Sequence, residues 1–348
     1  FSFFSSPYTI CVVIPTSISI MLVTILYGNT SAVLLSFVLS LGVLNAGNWQ
    51  IASFLFTLAS ALTSSAIVRK IERRLDLVVA GTLLAIFDIV FIVFMQVIFN
   101  ETFSDMASLL LGVAVNGFVS GILTLGLLTP LEIMLNTASV FRLMDLSDNN
   151  TPIFKQMQIL ANGTYNHSMM VAQLAESACR EINANPILAR VGGYYHDIGK
   201  IEQSEYFVEN QQNMENKHND LNPTLSASVI KSHVRKGIEK GHQLHMPQAV
   251  IDIIAEHHGN SVISYFYNEA KQKDPTLSPE DFAYPGNPPS SKESAVVMLA
   301  DTIEAACHTL DNPTSQRLDK FVGMLITKKV EDGQLNNCDL TFSDIAKI

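Results

Sequence analysis

The sequence predicts an all-α chain in two parts. A polytopic helical membrane region covers residues 1–136, an all-helical soluble domain covers 151–348, and a linker at 137–150 joins them. Three observations predict this. Charge is partitioned: ten Asp, Glu, Lys and Arg residues lie in 1–136, and 44 lie in the other 212. The first part is built of apolar runs, and crossing a bilayer takes roughly 17–25 residues. No run in either part alternates with the period of two that marks a half-buried strand.

The apolar runs fall at about 8–28, 31–46, 50–68, 76–98 and 106–135, separated by polar joints such as "GNT" and "NAGN". The second is short for a span, and the fifth is long enough to tilt or kink near Gly117, Gly121 and Pro130. Five runs in succession make a membrane domain, since a cleaved signal peptide is one short run behind a basic start. The basic cluster "RKIERR" at 69–74 belongs in the cytoplasm by the positive-inside bias, and the acidic joint "FNETFSD" at 99–105 belongs outside. Five crossings then put residue 1 outside and everything after about 137 in the cytoplasm. The chain begins with Phe rather than Met. That reads as a membrane domain truncated at its N-terminus, with an extracellular part before it. Asp88, deep in the fourth run, is costly in lipid; it is either a functional group or the partner of another polar group inside the bundle.

In the soluble part the apolar residues recur at helical spacing. "HSMMVAQLAESACREI" (167–182) is one helix, ended by Asn185-Pro186, and "NPILARVGGYYHDIGK" is a second. Three more are "TLSASVIKSHVRKGIEKGHQL" (224–244), "MPQAVIDIIAEHHG" (246–259) and "KESAVVMLADTIEAACHTL" (292–310). "SQRLDKFVGMLITKKVEDG" (315–333) is the last, and 272–290, with five of the thirteen prolines, reads as a loop.

Composition narrows the chemistry. Cys11, Cys179, Cys307 and Cys338 have no CxxC spacing, which argues against a thiolate zinc site or a disulfide framework. A net charge of −10 argues against a nucleic acid polymer as partner. It is compatible with a small anionic substrate held by metal ions.

All nine histidines follow residue 165. His167 stands at a helix start after "NGTYN", and His196 and Asp197 close the next helix. His233 lies mid-helix, His257 and His258 precede Gly259, and Asp301 sits inside the apolar run "VMLADTIEAA". Burying an unpaired carboxylate costs several kcal/mol, so Asp301 calls for a cation or donors. Each residue alone reads first as a capped helix end, a satisfied core histidine or a solvated face. Five imidazoles and two carboxylates on separate helices of one domain fit a two-metal oxygen and nitrogen site.

The order of motifs is more specific. "NGFVSGILTLGLLTPLEIMLNTASVFRLMDLSD", "GTYNHSMMVAQLAE", "RVGGYYHDIGK", "YFVENQ", "HNDLNPTLSASVIKSHV", "EHHG", "YPGNPPSSKESAVVMLADTIEAA" and "DGQL" follow one another along nearly the whole chain. In this the chain resembles the seven-transmembrane-receptor HD hydrolases, whose best-known activity is cyclic di-AMP phosphodiesterase. The resemblance implies a membrane bundle followed by a cytoplasmic HD phosphohydrolase domain, in a multi-pass protein of the bacterial cell membrane. It implies that His167, His196, Asp197 and Asp301 bind one divalent ion and that His233, His257 and His258 bind another, with Asp197 bridging. The ions expected are Mn or Fe, and the attacking group is water rather than a Ser or Cys side chain.

Lys200 follows the His-Asp pair closely enough to approach a phosphate or assist the leaving group, beside Asp197 as the catalytic carboxylate, and reads equally as a surface lysine. Asn210, His218, Asp220 and Lys292 contact substrate, support the ligands or fix loops. Tyr195, with Tyr194 beside it, either stacks on a base or packs in the core. Related cyclic di-GMP hydrolases carry Gly-Tyr-Pro after the paired histidines, where this chain has "NSVISYFYNEAKQ". The substrate expected is therefore cyclic di-AMP, opened to linear pApA in signalling under control of an unidentified membrane or extracellular signal. The lipid bilayer is a second partner, and a homodimer is a candidate assembly. A non-catalytic nucleotide-binding sensor, or an HD phosphohydrolase for another nucleotide, are the alternatives.

Overall fold

The computed structural model describes residues 14–99, 106–211, 215–310 and 312–348. The chain separates into two compact units, Phe1–Arg142 and Leu143–Ile348. Among the described residues there is no strand, only an isolated bridge between Val262 and Ala283.

The first unit contains α1 (Thr16–Tyr27), α2 (Asn29–Ala46), α3 (Ile51–Val68), α4 (Asp76–Phe99) and α5 (Met106–Met134). The last four are long and apolar enough to cross a membrane. Helix α1 has 12 residues, and the beginning of its expected run, 8–13, lies outside the described residues, as do 100–105 of the acidic joint.

The packing of this unit is that of a bilayer protein. Leu34, Val38, Leu83, Val90, Val97 and Leu111 point outward, whereas Ser36, Ser40, Ser60, Ser64, Ser120 and Thr124 are buried. Lipid tails are as apolar as leucine, so burying large side chains gains little and close backbone packing decides. Helices α4 and α5 meet through glycine. A Cβ on Gly81 would lie 2.8 Å from Gly117 O, and one on Gly121 would lie 2.4 Å from Leu77 O. Buried hydroxyls close on their own helix, as where Ser36 and Ser40 donate to Ala32 O and Ser36 O, each at 2.7 Å. At the end of α5, which continues through Pro130, the buried Glu132 accepts from Arg74 at 3.2 Å and from Ser139.

Helix α6 (Val140–Leu146) lies within the stretch expected as a linker. The second unit continues with α7 (Pro152–Leu160), α8 (Asn162–Glu181), α9 (Pro186–Tyr195), a 3-10 stretch (Ile198–Tyr206), α10 (Pro223–Gln243) and α11 (Gln248–Glu256). It ends with α12 (Ser264–Lys273), α13 (Lys292–Cys307), α14 (Ser315–Glu331) and α15 (Phe342–Ile345). Several starts follow cap chemistry. Asn185 accepts from Ile187 N and Leu188 N with Pro186 in the first turn, and Asn222 accepts from Leu225 N before Pro223 does the same for α10. The 272–290 loop is shorter than its prolines suggest, because α12 runs to Lys273 and a 3-10 turn spans Pro279–Phe282.

Val171, Ala175 and Cys179 of α8, Ala189 of α9, Ile253 of α11, and Val296, Val297 and Ala300 of α13 share one core cluster. Glycine sets two spacings that matter for the site. A Cβ on Gly193 would fall 2.5 Å from Ala172 Cα, so α8 and α9 are in backbone contact. A Cβ on Gly199 would fall 1.9 Å from His233 O, so the chain after Asp197 lies against α10 at His233.

Candidate metal centre

The four helices α8, α9, α10 and α13, with the end of α11, direct their histidines and aspartates to one point. His196 caps α9, and Asp197 follows at the turn into the 3-10 stretch. Both are buried, at 0% and 1% exposure. The two oxygens of Asp197 face different partners. Oδ2 lies 3.2 Å from His196 Nε2 and 3.7 Å from His167 Nε2. Oδ1 lies 3.3 Å from His233 Nε2 and 3.7 Å from His257 Nε2. Two potential ligand groups result, His167/His196/Asp197 and Asp197/His233/His257/His258, and Asp197 belongs to both. Asp301 Oδ1 is 3.0 Å from His167 Nε2 and 3.7 Å from His196 Nε2, while its Oδ2 is 3.6 Å from His258 Nδ1.

The imidazoles are held from behind. His196, His233 and His257 each place Nδ1 on the carbonyl three residues earlier: Gly193 O at 2.8 Å, Ile230 O at 2.6 Å and Ile254 O at 2.8 Å. A carbonyl only accepts, so each Nδ1 carries a proton and each ring turns its Nε2 toward Asp197, where a metal ion or a second proton can sit. His167 is held by a carboxylate instead, its Nδ1 against Glu304 Oε2, and Glu304 Oε1 in turn meets His308 Nε2 at 2.8 Å. Such outer contacts fix tautomer and ring orientation at metal sites.

The electrostatics of the protein alone ask for positive charge. Burial disfavours charged His167, yet Asp301 and Glu304 outweigh it and lift its pKa to about 9. Burial likewise opposes charge on His196, and Asp197 with Asp301 lifts it to about 10. Against burial, Lys200 and His196 hold Asp197 well below the carboxylate range, and His167 and His196 do the same for Asp301. On the other side burial prevails, taking His233 to about 3 and His258 well below the ordinary imidazole value. His196 Nε2 and Asp197 Oδ1 are buried and make no directed hydrogen bond, which is costly unless a cation satisfies them, while Asp197 Oδ2 meets the Lys200 ammonium. The donor set is imidazole nitrogen and carboxylate oxygen with no thiolate, and it fits divalent ions of the Mn, Fe and Zn type.

The centre opens into a cavity of ≈ 960 Å³ walled by Lys200, Phe207, Glu209, Ile230, Tyr284 and His308 among others. Small-molecule sites commonly occupy roughly 300–1,000 Å³. Lys200 Nζ lies 2.6 Å from Asp197 Oδ2, 3.0 Å from Glu209 Oε1 and 4.9 Å from the Phe207 ring centre. It is the one lysine or arginine among the described residues of the wall. Tyr284 stacks on His258, with ring centres 4.2 Å apart.

The structure thus brings together His167, His196, Asp197, Lys200, His233, His257, His258 and Asp301. Five residues expected to touch substrate are not on the wall. Tyr195 is 1% exposed, packs on Phe154 and donates its hydroxyl to Leu146 O at 3.0 Å, so it is core. Asn210 accepts from Thr164 N at 3.0 Å and donates to Thr164 Oγ1 at 2.8 Å, which secures the start of α8. His218 meets Tyr206 O at 2.8 Å and packs on Phe266. Lys292 pairs with Asp344 at 2.8 Å, pinning α13 to α15, and Asp220 is exposed on a 3-10 turn.

Glu304, Glu209 and Tyr284 carry contacts that sequence reasoning did not assign. Glu304 had a signal: it stands three residues after Asp301 and therefore shares its helix face. The other two lie on irregular segments, with no periodicity to place them.

Residues 1–139 match the family model described as 7TM receptor with intracellular HD hydrolase, and residues 164–306 match that of the HD domain. The chain is similar to the cyclic-di-AMP phosphodiesterase PgpH of Bacillus subtilis (strain 168), with 35% identity over 96% of this chain and 48% of the relative. It is 36% identical to the PgpH protein of Listeria monocytogenes over 84% of this chain and 41% of that one. The chain spans about half the length of the curated relatives it matches. A crystal structure of the L. monocytogenes PgpH HD domain in complex with cyclic-di-AMP superposes with a TM-score of 0.56 and 41% identity, covering 58% of this chain and 94% of that domain.

Proposed function

We propose, for a chain that belongs to the seven-transmembrane-receptor HD hydrolase family, that its HD domain hydrolyses cyclic di-AMP to linear pApA. The observation that carries this reading is Asp197, whose two buried oxygens each face a separate set of histidines. His167, His196, Asp197 and Asp301 would hold one divalent ion, and His233, His257 and His258 the other, with Mn²⁺ or Fe²⁺ as the ions of choice. When bound, two such ions polarise a phosphoryl oxygen and acidify water.

The chain's own residues do the rest. The carbonyl-bound Nδ1 groups keep His196, His233 and His257 in one tautomer, so no reorganisation is needed during turnover. Water attacks phosphorus, the P–O3′ bond breaks, and the departing 3′ oxygen takes up a proton. Lys200, whose charge Asp197 and Glu209 stabilise, would meet a phosphate oxygen or that leaving oxygen. The Phe207 and Tyr284 rings supply apolar wall for a base. The adenine preference rests on the relatives' activity and on the missing Gly-Tyr-Pro triplet. A site that hydrogen-bonds an exocyclic group rejects the wrong base far better than an apolar slot does.

Kinetics of the full chain on cyclic di-AMP and cyclic di-GMP, in the same metal, test both parts. A higher kcat/KM on cyclic di-AMP with pApA as product is expected. Equal or reversed preference defeats the adenine assignment, and binding without turnover of either nucleotide defeats the hydrolase in favour of a sensor.

A further inference from the structure

The membrane unit holds a second, separate polar site. Asp88, midway along α4, is 5% exposed. Its Oδ2 accepts from Ser60 Oγ at 3.0 Å, and Ser60 Oγ lies 3.4 Å from Ser17 Oγ. Its Oδ1 is buried without a hydrogen-bond partner. Helices α1, α3, α4 and α5 leave a cavity of ≈ 10 Å³ at this point, lined by Ser17, Thr57, Ser60, Asp88 and Asn116. No lysine, arginine or histidine is among its described lining residues. An ionisable group at such depth is expensive and normally has a partner.

We infer that this cavity binds one monovalent cation, with Na⁺ the best fit. Three features select it. The lining offers carboxylate, hydroxyl and amide oxygen and no sulfur or imidazole, the donor set of a hard cation. The single carboxylate balances one positive charge, whereas a divalent ion would leave an uncompensated charge in hydrocarbon. The volume admits about one water-sized centre, which excludes a molecular ligand, and a carboxylate attracts the smaller Na⁺ more strongly than K⁺ because it comes closer. Because the donors come from four helices, occupancy ties the bundle together and stabilises it by mass action.

The chain has one tryptophan, Trp49, in the turn between α2 and α3, so its fluorescence reports the membrane unit. The test is thermal unfolding of the full chain in lipid nanodiscs, followed by Trp49 fluorescence, with Mn²⁺ fixed and Na⁺ exchanged for choline at constant ionic strength. A saturable rise in Tm with Na⁺, smaller with K⁺ and absent in Asp88→Asn, is expected. A wild-type response no different from choline, a larger response to K⁺, or a Na⁺ response that survives Asp88→Asn overturns the site. Ser60→Ala keeps the charge and covers the case in which Asp88→Asn does not fold. It should raise the Na⁺ midpoint about tenfold, the change that follows from losing roughly 1.4 kcal/mol of binding; an unchanged midpoint overturns the site as well.

Discussion

At the scale of single residues, the candidate metal centre depends on which groups touch Asp197 and which only hold the groups that do. Asp197 faces both histidine sets, so its loss should weaken both metal positions, whereas the loss of Glu304 acts through His167 alone. Asp197→Ala is expected to remove nearly all bound Mn²⁺ and all measurable hydrolysis while circular dichroism stays helical. Glu304→Gln should retain the second ion and lower affinity for the first by about 10–100-fold, the usual effect of losing an outer contact to a metal-bound imidazole. Metal content by mass spectrometry with Mn²⁺ titration separates the two. Full metal in Asp197→Ala would reduce the His-Asp pair to a helix end. The seven candidate ligands were legible in the sequence because type and motif order mark them. The substrate contacts were not. Tyr195, Asn210, His218 and Lys292 stand in the right motifs, yet each is already committed to a neighbour inside the fold.

At the scale of elements, glycine decides whether the histidines can meet. The longer helices were legible to within about five residues, α8 starting at Asn162 so that His167 lies inside it, whereas α6, α7 and α15 were missed; apolar spacing and caps such as Asn185-Pro186 are local signals. Short pieces were not: α12 and the 3-10 turns have weak periodicity and are held by tertiary contacts such as Phe266 and Phe282 in one cluster. Nor could spacing reveal that Gly199 permits a close crossing. Its absent Cβ leaves room for His233 O, and that approach brings Asp197 Oδ1 to His233. Gly199→Ala forces the 3-10 stretch and α10 apart. Overpacking of this kind costs about 1–3 kcal/mol, which for a domain of this size lowers Tm by roughly 2–12 °C. The structure makes a sharper demand: Mn²⁺ affinity should fall at the His233 side first. Calorimetric titration of Gly199→Ala would show it, and two undisturbed sites would mean that the crossing does not set the centre.

At the scale of the whole molecule, the chain divides into a lipid-adapted unit and a charged one that contains the HD domain. In the first unit, large apolar side chains lie on the outside as well as in buried clusters, and hydroxyls are buried among them. The second unit has buried apolar clusters and carries most of the charge. Composition alone reveals this partition, but not the direction of the chain through the bilayer, because no interaction inside the protein depends on it. Direction is set from outside, by the bias that keeps Lys and Arg in the cytoplasm. The four basic residues of the membrane unit before its end, Arg69, Lys70, Arg73 and Arg74, share one joint between α3 and α4. Were that joint inside, the next joint, which contains Glu101 and Asp105, would lie outside, and α5 would return the chain to the cytoplasm with the HD domain. Single cysteines at positions 72 and 103, in a background with the native cysteines replaced, can be exposed to a membrane-impermeant maleimide in intact cells. Labelling at 103 and protection at 72 is the expected pattern. The opposite pattern would place the HD domain outside and separate it from any cytoplasmic substrate.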